Sequence, residues 1–213
     1  MKKILILFLL ITNFTVKAQK FEFTTLTVYS TTFKNGVGND LIYTSNSDNS
    51  FYLSILKTPN IILAYLYDLK HLKKHTFSVE ETVTNGVTFY NFNYEESKPI
   101  TYYNKKSRQH YIYDFTTIET NDSIEKVHID VYKNAKRKKS MMTYEIDVQK
   151  NKSNLFHAFR IICIHPFEFE ERFMYDKKGI VIKAKGKTLN GTPIEHQLLE
   201  HKEIVFELTV PKN

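Results

Sequence analysis

The sequence predicts a mainly β protein: a curved antiparallel meander, an open or half barrel, with one covering helix near 59–74. Three observations carry this expectation. Short segments alternate apolar and polar residues with a period of two, which lays one set of side chains on a core and the other in water. Turn signatures separate them, among them Thr84-Asn85-Gly86, Thr120-Asn121-Asp122-Ser123 and Asn190-Gly191, and such signatures suit hairpins. One segment repeats its apolar residues with a helical period instead.

The amino-terminal residues read as an export signal. Lys2 and Lys3 precede an apolar run from Ile4 to Ile11, and Val16 and Ala18 supply small residues before Gln19. This is the layout of a secretory signal peptide, and the run is shorter than the ~20 residues that span a bilayer. The expectation is therefore a signal peptide over 1–18, cleaved after Ala18, and a single β-rich domain over 19–213 in the periplasm or outside the cell. No later segment is apolar enough to be a transmembrane segment of the mature chain.

Over 58–75, Ile62, Tyr65, Leu66, Leu69 and Leu72 share one side at 3.6 residues per turn. Thr58 and Pro59 suit a helix start, and Lys73, Lys74 and His75 suit its end. A buried strand over 61–67 is the alternative. Residues 87–94 and 110–118 are rich in aromatic and β-branched side chains, which suit a pleated surface. Val127, Ile129 and Val131 alternate with polar neighbours, as do Met142, Tyr144, Ile146 and Val148, and again Ile204, Phe206, Leu208 and Val210. Residues 155–165 are apolar on both faces and read as a strand covered on both sides. Tyr175–Ile182 reads as a hairpin with Gly179 in the left-handed region. Residues 192–201 combine a capping box, Thr192 to Glu195, with a preceding hairpin signal, and either helix or strand fits. Roughly nine to eleven strands result.

Composition excludes several functions. Loss of residues 1–18 would lower the formal net charge from +7 to +4, too mild a bias for a nucleic-acid binder. The single cysteine, Cys163, rules out an intramolecular disulfide framework. No Gly-rich phosphate loop, serine nucleophile elbow or cysteine metal cluster is present, so no cofactor is implied and the chain leans away from catalysis.

The candidate sites are few. Cys163 and His165 on a strand would share a face about 6.5–7 Å apart, too far for a nucleophile and its base, and apolar neighbours would make the thiol inert. Asp68, His71 and His75 would share one side of the expected helix and form a weak metal candidate. The glutamates of 168–171 and 95–96 read as a wet strand face. Two basic turns stand out: Lys105, Lys106 and Arg108 in one, Lys133, Lys136, Arg137, Lys138 and Lys139 in the other. Two strands separate them, so a meander places both at one pole, where they would attract an anionic envelope surface. The leading expectation is a binding protein for a lipid or other apolar ligand in a curved-sheet cavity. The alternative is an adhesion or interaction module using the basic pole.

Overall fold

The computed structural model describes residues 18–34, 36–101, 110–151, 153–165 and 167–211, with backbone alone at 87 and 88. The strands are β1 (Ala18–Phe33), β2 (Gly36–Thr44), β3 (Phe51–Lys57), β4 (Ile62–Asp68), β5 (Lys73–Thr84), β6 (Val87–Pro99), β7 (Ile112–Thr120), β8 (Ile124–Tyr132), β9 (Ser140–Gln149), β10 (Ile180–Lys187) and β11 (Pro193–Pro211). Among the described residues there is one helix, α1 (Phe156–Cys163), between β9 and β10. The strands form one open antiparallel sheet of 11 in the order β6-β5-β4-β3-β2-β1-β11-β10-β9-β8-β7. The first and last strands thus pair in the middle, and β6 and β7 are its edges.

The chain buries opposite faces of this sheet in its two halves. Along β8 and β9 the alternation holds as read: Val127, Ile129, Val131, Met142, Tyr144, Ile146 and Val148 are all buried. They pack with Tyr29, Ile42 and Tyr52 under α1 and the arm that follows it. The second core lies on the other face and contains Phe21, Phe23, Leu53, Leu66, Phe77 and Leu208. Adjacent residues of β3 show both faces in use, Tyr52 in the first core and Leu53 in the second, and register shifts mark the central pair of strands. Tyr29 pairs with Leu198 but Val28 with Glu200, and Thr25 pairs with Glu203 but Phe23 with Phe206. At each shift β11 carries one residue more than β1, the mark of a β-bulge, which bends the strand and increases its twist. Leu199 and Val205, at the two shifts, stand exposed. The half beyond β1 curls without closing. Phe92 on β6 and Phe206 on β11 are 5.2 Å apart between ring centroids, although five strands separate theirs in the sheet.

The expected helix over 59–74 is instead the hairpin of β4 and β5. Ile62 and Leu66 are four apart, a spacing that fits a helix face and a strand face alike. Burial follows the strand: Ala64 and Leu66 are fully buried, while Leu63, Tyr65 and Tyr67 on the other face are half-buried. Residues 192–201 are strand as well, entered through Gly191 at φ +78°.

The one helix forms where a strand was expected. All eight residues of α1 are buried, so no alternation marks them. The residue before its N-cap Leu155, Asn154, accepts the Phe156 N–H through Oδ1 at 3.0 Å. Arg160, 1% exposed, donates from Nη1 to the carbonyls of Glu170 (3.0 Å) and Phe173 (3.4 Å). That pins the arm 167–175, whose Phe173 stacks on Tyr113 at 4.7 Å. The expected hairpin around Gly179 is absent because this arm leads directly into β10. Nor is Gly179 left-handed. It is needed for close approach, since a Cβ there would sit 2.5 Å from Val148 Cγ1. At Gly186 a Cβ would meet the Thr143 carbonyl oxygen and the Tyr144 ring, each at 2.5 Å. Gly186→Ala is therefore expected to destabilise the fold by about 1–3 kcal/mol by forcing β9 and β10 apart, read as a lower urea midpoint. Gly38→Ala, with only Phe33 Cε2 at 3.9 Å, is the control and should cost far less.

Two core imidazoles make the fold acid-sensitive. Burial holds His157 at about 4, helped by the charge of Arg160, and holds His196 at about 4, helped by His165. Unfolded, each titrates at the ordinary 6.5. Between these values the unfolded chain binds protons that the folded chain refuses, so stability falls as pH falls, by roughly 2–3 kcal/mol per ring. Glu125 acts in a lower window. Burial raises it, but the Lys177 ammonium and the Thr117 hydroxyl outweigh burial and hold it at about 2, against an ordinary 4.5. Urea midpoints measured between pH 7 and 4.5 should therefore report the histidines, and His157→Leu should flatten the slope. An unchanged slope would assign the loss to other groups.

Candidate functional site

β8 and β9 are tied at Tyr132 and Ser140, so residues 133–139 leave the sheet as a loop, and every one of them is exposed. Its shape is set locally. The Asn134 carbonyl accepts the Arg137 N–H at 3.2 Å, the Asn134 side chain accepts the Lys136 N–H at 3.0 Å, and Arg137 turns the chain at φ 46°. The result is a cup of about 230 Å³ lined by Tyr132, Asn134 and five cations: Lys133, Lys136, Arg137, Lys138 and Lys139. Arg137 reaches back over β7, and its Nη2 pairs with Asp114 Oδ1 at 3.0 Å. Among the described residues the four lysines make no ion pair, so their field is left for a partner. Lys105, Lys106 and Arg108 lie outside the described residues. The strand they lead into begins with Ile112 opposite Tyr132, on the rim where the cup emerges. Asn134, Tyr132 and Asp114 shape the cup and were not singled out from the sequence, although an Asn two residues before a lysine is a recognisable turn signal.

The concave side of the curled half is filled. Phe23 lies against Phe51, Tyr43 and Phe206 at centroid distances of 5.4, 6.2 and 5.5 Å, and Phe77 against Tyr94 at 5.7 Å. The leading expectation places an apolar ligand in this half, where these aromatic side chains pack together.

Over these rings, at the rim opposite the cup, sits a polar collar containing the three residues of the weak metal candidate. A hairpin brings them there rather than a helix. Asp68, 2% exposed, accepts from His71 Nδ1 at 2.6 Å, from the His71 backbone N–H at 3.0 Å and from Gln19 Nε2 at 3.1 Å. Burial opposes its charge, but these donors outweigh burial and hold the carboxyl below its ordinary value. His75 turns away, with its Nδ1 on Ser97 Oγ at 2.5 Å, and burial lowers its pKa. Among the described residues no group of three His, Cys, Asp or Glu side chains converges on a metal position. A cavity of about 510 Å³ borders Gln19, His71, Lys73, His75 and Ser97.

Cys163 is buried at the end of α1, and burial, with the charge of Asp40, pushes its thiol well up. His165 lies beyond the helix and faces Glu168 at 3.5 Å. The wet face expected for 168–171 is corrected at Glu170, which is 3% exposed and accepts from Arg172 Nε at 3.0 Å. The segment is a packed arm, so alternation does not govern it. No described helix is long and apolar enough to cross a membrane.

The collar makes one strong demand. Asp68→Ala strands His71 and Gln19 and is expected to cost about 1–3 kcal/mol, read as a drop in thermal midpoint. Asp68→Asn, which keeps an acceptor, should cost less.

The sequence matches no protein-family model and no curated protein, so the geometry of the cup and the collar is the guide to their roles.

Proposed function

We propose that the chain is an exported, non-catalytic binding protein that docks on an anionic partner through the basic cup of the 133–139 loop. The carrying observation is the fan of lysines around one concavity, held open by the Asn134 turn and by the reach of Arg137 to Asp114. A cluster of one sign on a fixed frame concentrates counter-charged partners, and its pull is screened over about 8 Å at physiological salt. The packed inner face favours this reading over an apolar ligand held inside the sheet.

Polyphosphate is a suitable probe because it offers anionic charge without apolar groups. Fluorescence anisotropy should show binding that weakens steeply between 50 and 500 mM NaCl. The variant Lys136→Ser/Lys138→Ser/Lys139→Ser should weaken it at least tenfold with the thermal midpoint unchanged, since these side chains are exposed. Equal affinity in the variant removes the cup as the docking site.

A further inference from the structure

The rim that carries the cup also holds apolar side chains in water. β8, β9, β10, β11, β1 and β2 are consecutive in the sheet. Neighbouring strands lie about 4.8 Å apart, so the three connections at this end follow one another at intervals of roughly 10 Å. They are the cup, the β10–β11 turn and the β1–β2 turn. The second holds out Leu189, 40% exposed, and the third Phe33 and Val37, 48% and 68% exposed. Cations flank them: Lys187 and Lys34 are exposed beside these tips. The nearby acids Asp114 and Glu195 are taken by Arg137 and Lys185, at 3.0 and 2.9 Å. The β3–β4 hairpin turns on the same rim and adds Leu56 and Ile61, 49% and 50% exposed.

We infer that the anionic partner is a lipid bilayer, and that this rim docks on it edge-on, with the lysines on the lipid phosphates and Phe33, Val37 and Leu189 entering the headgroup layer. This rests on the proposal that the cup binds anions and names the surface that carries them. The spacing favours a bilayer over a protein. A protein interface wants a contiguous face of about 800 Å² per partner, whereas these apolar side chains are divided among separate turns with lysines beside them. A fluid interface accepts each tip independently, and lysine stems can lie along its apolar layer while their heads stay at the phosphates. Each cation near an anionic leaflet strengthens binding about fivefold.

The test is vesicle flotation with protein purified from its producing cells, its amino-terminal residue determined. Vesicles are phosphatidylcholine alone or phosphatidylcholine with phosphatidylglycerol. The expected result is binding to the mixed vesicles only, weakened at least fivefold by 500 mM NaCl. The variant Phe33→Ser/Leu189→Ser should lose about tenfold for these vesicles and keep its affinity for polyphosphate. Full vesicle binding by that variant overturns the inference and leaves the anion-binding cup standing, as does binding of the unaltered protein to polyphosphate but not to vesicles. A lysine variant that keeps both partners overturns the underlying reading.

Discussion

The pairing of β1 with β11 is the constraint on which the rest of the structure depends. A sheet with one consistent register would bury one face from end to end. Here β11 carries an extra residue at two places relative to β1, bulges that bend and twist the central pair, and β3 shows the two faces in use, since its neighbours Tyr52 and Leu53 belong to different cores. The same central pairing lets the chain run as two meanders, outward from β1 to β6 and inward from β7 to β11. It also decides what caps each core. The first takes α1 and its arm, held by the guanidinium of Arg160 on two backbone carbonyls. The second has no helix and closes over its own aromatic rings by curling.

Much of this was legible in the sequence, and the failures have physical causes. The strands around Val127–Val131 and Met142–Val148 follow from alternation alone, because each has one buried face and one wet face. At β4 the half-buried Leu63, Tyr65 and Tyr67 blur that contrast, because this strand has protein on both sides. The run Phe156–Cys163 lacks alternation for the opposite reason: burial on every side erases the pattern that separates helix from strand. Arg160 inside that run was the unused clue, since a buried guanidinium needs carbonyls that are free of their own secondary structure, and the irregular arm supplies them.

The sites divide along similar lines. The lysines of 133–139 were legible because a charged turn is exposed whatever surrounds it. Asp68 and His71 do meet, across a short hairpin turn rather than along a helix, while His75 turns to Ser97 instead. Their partners come from other strands, Gln19 from β1 and Ser97 from β6 opposite His75, and were not readable. The apolar tips were not readable either. Phe33 and Leu189 lie far apart in sequence, and only the pairing of Thr32 with Glu195 places their turns side by side.

Both cores are packed with aromatic and aliphatic side chains, and the proposed docking surface lies on a rim. The two rims differ in kind. On one, Asp68 accepts three hydrogen bonds and His75 shares one with Ser97, contacts that tie the rim of the curled half together. On the other, among the described residues, the four lysines of the cup make no ion pair and the apolar tips stand exposed. Exposed apolar side chains scattered over a surface carry little meaning, but Phe33, Val37 and Leu189 are concentrated on turns beside the cations. A fixed sheet matters for such a surface. Each contact is weak, and a flexible chain would lose in ordering much of what the contacts gain. The antiparallel register sets the turns at regular intervals before any partner arrives, so several weak contacts can act together.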